Sequence, residues 1–173
     1  MRIMHLATAA LLAALPLAAH AQASKGTLDD AAIVGIFDAA NTWDMSTGSL
    51  AAKKATRKDV KEFGAQLARD HRSVRAQGRA LATKLHVTPT PVAKDFALKT
   101  DYDNTIKSLR KLHGAEFDKA FLEHEVSYHK AVIDAVTNQF LPSIKNAEVK
   151  AFVQKVAPAF QAHLAAAENL LKK

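Results

Sequence analysis

The sequence predicts an all-α protein: an up-down bundle of four long helices, with a short extra helix in the long connection between the second and third. Three observations predict it. Apolar residues recur at alternating intervals of four and three along four segments, which places them on one face of a helix. Proline, glycine and polar capping residues stand at the ends of those segments. No run alternates with the period of a strand, and no glycine-rich phosphate loop or low-complexity tract interrupts the pattern.

The chain has 173 residues, of which 1–21 read as a signal peptide. Arg2 supplies the basic start, Met4 to Leu17 is almost entirely apolar, and Ala19, His20 and Ala21 form a small-x-small site, so cleavage is expected after Ala21. That run is too short to span a membrane, and no later stretch approaches the roughly 18 to 20 apolar residues a crossing needs. Residues 22–26 form a polar linker and 27–173 one helical domain. A mature chain of roughly 150 residues buries about two-thirds of its unfolded surface, enough for a single core. The absence of cysteine excludes disulfides, a lipoprotein anchor, a thiolate metal site and a thiol nucleophile. The net charge of +7 would suit nucleic acid in a cytosolic protein. Export sets that partner aside in favour of anionic envelope components, and it places the protein in the periplasm, with peripheral attachment to the outer membrane left open. Arg69, Arg72, Arg75 and Arg79 read as a solvated helix face.

The first helix is expected from Thr27 or Leu28, with Asp29 and Asp30 near its positive end. Its inward stripe is Ile33, Phe37, Ala40, Asp44, Thr47 and Ala51, with Ile36, Trp43 and Leu50 alongside. Gly48 costs about 1 kcal/mol relative to alanine, which points to close helix contact or a bend. Thr56 is the expected N-cap of the second helix, whose stripe runs Val60, Phe63, Leu67, His71, Val74, Gly78, Leu81 and Leu85 and stops near His86, ahead of Pro89 and Pro91. The connection carries a short helix from about Asp101 to His113, stopped by Gly114. The third long helix spans about Ala115 to Phe140, with Leu122, Val126, His129, Ile133, Val136 and Phe140 inward and Pro142 as its end. The fourth spans about Asn146 to Leu171, with Val149, Phe152, Val156, Phe160, His163, Ala167 and Leu170 inward and Pro158 inside it. Short turns make each consecutive pair antiparallel, and the long connection can bring both turns to the same end.

Asp44, His71, His129 and His163 thus each occupy an inward position on a different helix, where an aliphatic residue would ordinarily sit. A buried carboxylate or imidazole is costly unless paired or bound to a metal. Three imidazoles and a carboxylate suit zinc, copper, iron or manganese. Glu125, one turn before His129, is a fifth ligand or a supporting carboxylate, and Asp70 is placed to orient a neighbouring ring. No Glu-x-x-His pair occurs on the helices that carry His129 and His163, which disfavours a two-iron centre. The competing reading of the same residues is a metal-free buried polar network that fixes helix register. Outside the stripes, His86, His113 and His124 read as loop or surface residues, and Trp43 as a packing anchor.

The segments around Ala40, Asn41, Asp44, Gly48, Leu50 and Ala51, then Val60, Lys61, Phe63, Asp70 and His71, then Gly114, Phe117, Asp118 and His129, and finally His163 and Leu164, resemble the bacterial exported proteins grouped as domain of unknown function 4142. The resemblance covers nearly the whole mature chain. It implies a ferritin-like four-helix fold and a periplasmic or envelope location. The family pattern usually has glutamate where this chain has Asp44, a shorter carboxylate that draws a metal toward the first helix. The function expected from the sequence is a helical periplasmic protein that binds a transition metal for storage, buffering or stress protection. The alternatives are a metal-free envelope interaction module and, lacking any nucleophile or general-base pair, a metal-dependent oxidoreductase.

Overall fold

The computed structural model describes residues 28–173, and these form helices without a single strand. The expected signal peptide, its expected cleavage site, the expected 22–26 linker and the expected helix start at Thr27 lie outside the described residues. The helices are α1 (Asp30–Lys54), α2 (Lys58–Lys84), α3 (Ala97–Lys111), α4 (Gly114–Ala135), α5 (Leu141–Ser143) and α6 (Ala147–Leu171). A π-helical turn, Val136–Phe140, joins α4 to α5. No helix among the described residues is long and apolar enough to cross a membrane.

Several ends differ from expectation, each for a local reason. α1 begins at Asp30 because the Asp29 side chain caps it, accepting from the Ala32 N–H at 2.8 Å. Thr56 does not cap α2. The cap position is Arg57, whose side chain makes no capping bond, and the Asp118 carboxylate on α4 accepts from the Thr56 and Arg57 N–H groups instead, at 2.9 and 2.8 Å. The short helix starts earlier, at Ala97, and Gly114 opens α4 with a φ of +58°, a conformation glycine tolerates, rather than only closing α3. Pro142 does not end the third long helix. It sits in the first turn of α5, and the widened π turn just before it accommodates a ring that would clash with the carbonyl four residues back in a regular α-helix. Asn146 caps α6, accepting from the Glu148 and Val149 N–H groups.

α1 packs most extensively on α2 and α4 on α6, while α2 also meets α6 and α1 meets α4. The two turns do not share an end. The α1–α2 turn is held at the start of α4 by Asp118, whereas the turn before α6 is held at the start of α1, where Asp30 accepts from the Lys145 and Asn146 N–H groups at 2.9 Å each. The reason is α3. The chain leaves α2 beside the start of α1, where the Thr90 N–H donates to the Ala31 carbonyl, and returns beside its end, where Lys54 donates to the Leu109 carbonyl. A connection that runs from one end of α1 to the other, with α3 as its last part, reverses the end at which the second pair begins.

The core has two apolar clusters. One gathers Ile33, Phe37, Val74, Phe140, Val149, Val153 and Phe160, the other Ala51, Val60, Phe63, Leu67, Phe117, Phe121 and Leu122. In each long helix the ionisable inward residue falls between the contributions to the two clusters. Trp43 packs as expected, stacked on Tyr102 with ring centroids 5.9 Å apart. Gly48 marks the expected close approach: a Cβ there would stand 2.7 Å from the Gly64 carbonyl oxygen of α2.

Gly48→Ala should therefore lower stability by about 1–3 kcal/mol despite alanine's better helix propensity, read from urea unfolding. Asp118→Ala, which strips two backbone N–H groups of a charged acceptor, should cost about 2–4 kcal/mol in the same assay.

Candidate metal centre

Asp44 stands seven residues from both Phe37 and Ala51. His71 lies four after Leu67 and three before Val74, His129 seven from both Leu122 and Val136, and His163 three after Phe160 and four before Ala167. Helical spacing carries all four inward with their apolar neighbours. They meet. The three imidazole centroids are 5.1 to 5.7 Å apart. His71, His129 and His163 each bring a potential ligand atom within 4.8 Å of the others, and Asp44, Glu125 and His129 do the same. Asp44 Oδ2 lies 3.0 Å from His71 Nε2 and 3.4 Å from His129 Nε2. None of the five side chains belongs to a residue more than 3% exposed.

The hydrogen bonds around the site decide which way each imidazole faces. Asn41 donates its amide to the Phe37 carbonyl at 2.7 Å, which turns its oxygen to His71 Nδ1 at 2.8 Å. With an acceptor there, His71 carries its proton on Nδ1. His129 Nδ1–H donates to the Glu125 carbonyl, one turn back, at 2.9 Å. His163 Nε2–H donates to the Asp70 carboxylate at 3.0 Å, the orienting contact expected of Asp70 but made across helices to α6. Each ring therefore directs its other nitrogen inward. His71 Nε2, His129 Nε2, His163 Nδ1 and both Asp44 oxygens are buried without any hydrogen-bond partner. The 3.0 Å approach of His71 Nε2 to Asp44 Oδ2 is a place for a cation between ring and carboxylate, a proton or a metal ion.

Glu125 completes the site differently. Its Oε1 accepts from the Thr47 hydroxyl at 3.0 Å, and its Oε2 approaches His129 at Nδ1, 3.5 Å away, the nitrogen already engaged. Burial, then the charge of Asp44, pushes its carboxyl well above the usual range. Burial also raises Asp44, but His71 and His129 outweigh it and hold that carboxyl below the usual range. The two carboxyls thus divide into an ionised Asp44 and a protonated Glu125. Burial lowers His129 to about 4, against the opposing pull of Asp44, and lowers His163 against its bond to Asp70.

Two participants lay outside the sequence reading. Asn41 was not placed on the inward stripe, although it stands four after Phe37 and three before Asp44, the spacing that marks the rest of that stripe. His124 is not a surface residue: its side chain is 8% exposed, its ring lies 5.5 Å from that of Tyr128, and α3 covers it through Asp101. His86 and His113 are exposed, as expected.

A family model described as Domain of unknown function (DUF4142) matches residues 15–170. The chain belongs to that family. No curated protein and no solved structure matches this DUF4142 chain, so its chemistry is argued from its own side chains.

The pH response of the metal-free protein follows from these shifts. His129 and His163 have folded values below their unfolded one, near 6.5, so the unfolded chain binds more protons as pH falls and the fold loses stability from about 6.5 down toward 4. Glu125 has the opposite sign, contributing stability at low pH that is lost as pH rises through its raised folded value. Metal-free Glu125→Gln should show stability rising from pH 4 to 6.5. The stability of the wild type relative to this variant should decline as pH climbs above about 4.5. Chemical denaturation across that range measures both slopes.

Proposed function

We propose that this DUF4142 protein is an exported, periplasmic four-helix bundle of the ferritin-like kind that binds one transition-metal ion through Asp44, His71, His129 and His163, with Glu125 as the supporting carboxyl. A single observation carries the reading: three imidazole nitrogens and the Asp44 carboxylate, one from each long helix, converge in a buried layer, each ring held from outside at its other nitrogen. The outer partners Asn41, the Glu125 carbonyl and Asp70 hold the rings in the tautomers a metal requires. With nitrogen and oxygen donors and no thiolate, the candidates are zinc, copper, iron and manganese.

Storage, buffering or protection of the envelope against metal stress suits a small bundle with one enclosed site. The net charge of +7 favours anionic envelope components as neighbours. Export is supported by the leader pattern of residues 1–21.

Protein purified from the periplasmic fraction should carry about one metal equivalent per chain by elemental analysis. After stripping, the preferred ion, at a thousand times its dissociation constant, should stabilise the fold by about 4 kcal/mol. Asp44→Asn and His129→Gln should weaken binding at least about 100-fold, and Asp70→Asn by about 10- to 100-fold, through His163 alone. His86→Ala and His113→Ala should change nothing. A chain that takes up none of the four ions, and melts the same with and without them, would leave the metal-free interaction module as the better account.

A further inference from the structure

Beside the four inward donors, between α1 and α4, lies a cavity of about 20 Å³, room for roughly one molecule the size of water. Asp44, His71 and His129 form one wall. Apolar side chains make up most of the rest: Ile36, Phe37, Phe140 and Phe160 are buried, while Leu98 of α3 and Val132 of α4 are half-buried. Phe160 lies parallel to the His71 ring at 5.7 Å, so one aromatic face both backs an imidazole and lines the cavity. His163 is not part of the lining.

The polarity of this space selects its occupant. No lysine or arginine lines it. Its two uncharged polar side chains already have partners: the Asn41 amide donates to the Phe37 carbonyl and its oxygen receives His71, and the Tyr128 hydroxyl donates to the Ala40 carbonyl. No protein cation offsets the water an anion or a hydrated ion would give up on entering here, so only the bound metal itself would hold one. A small neutral molecule loses little. Four protein donors, meanwhile, leave positions open on an ion that takes five or six ligands, as iron and manganese do.

We infer that the metal centre has a second ligand, a neutral molecule of diatomic size, received from the apolar cavity on the side walled by Asp44, His71 and His129. The inference rests on the metal reading above and adds the class of molecule the site admits. Dioxygen and nitric oxide share the required size and neutrality.

The test uses nitric oxide on protein loaded anaerobically with one equivalent of iron(II), followed by the half-integer electron paramagnetic resonance signal of the adduct. Leu98→Phe and Val132→Phe fill the cavity from two different helices without touching a donor, and Val132→Ile fills it by one methyl group. Wild type should form one adduct per iron. Both phenylalanine variants should keep their helical circular dichroism and iron stoichiometry while binding nitric oxide at least about tenfold more weakly, with Val132→Ile between. Should one phenylalanine variant fail to fold, the other and Val132→Ile carry the comparison. Iron-loaded wild type that forms no adduct, or variants that bind nitric oxide as tightly as wild type, would overturn the inference and leave the metal reading standing. Failure to take up iron while zinc or copper binds also overturns it, and failure to take up any of these ions removes both.

Discussion

Three imidazole nitrogens and a carboxylate that face one another in the buried middle of the bundle set the terms for the rest of this molecule. Three imidazoles turn one nitrogen each toward the layer that holds an ionised Asp44, and the protonated Glu125 carboxyl lies beside them. The layer is a cost to the metal-free fold, because these buried ionisable groups forfeit the hydration they had in the unfolded chain. Each outer contact makes the inward arrangement harder to escape. Asn41 cannot rotate to donate to His71 without abandoning the Phe37 carbonyl, and His129 cannot change tautomer without leaving the Glu125 carbonyl unpaired. The chain thus maintains electrostatic tension by ordinary hydrogen bonds placed one shell further out.

The apolar framework keeps that arrangement fixed. The two aromatic-rich clusters enclose the polar layer, so a one-turn slide of α2 or α6 would carry Leu67 or Phe160 into the site and an imidazole into a cluster. Backbone contact at Gly48 and Gly64 fixes the register of α1 against α2, and hence of Asp44 against His71. The protonated Glu125 lets a second carboxyl sit beside Asp44 without like-charge repulsion. On the metal reading, the cost carried by the metal-free protein becomes the differential affinity for an ion.

The four inward residues were legible because helical periodicity is local and strong: Asp44, His71, His129 and His163 each interrupt a run of apolar residues at the step where another was due. Their convergence was less so. The expectation that both turns share an end failed because the path of the connection through α3 depends on long-range packing that no local pattern encodes. Asn41 escaped notice since polar residues flank every stripe and only its partner reveals that it faces inward. His124 was read as exposed because α4 alone would leave it so, and it is α3 that covers it. Thr56 carried the signature of a cap, but a carboxylate from a distant helix supplied the bonds.

The reciprocal aspartates tie the halves of the molecule together. Asp118, from the second pair of long helices, secures the turn of the first pair, and Asp30, from the first, secures the turn of the second. Neither hairpin is finished without the other, so a half-assembled species would present bare amides at a helix start and a carboxylate without its hydrogen bonds. Such coupling suppresses partly folded intermediates and favours all-or-none assembly, in which the polar layer is either fully formed or entirely dispersed.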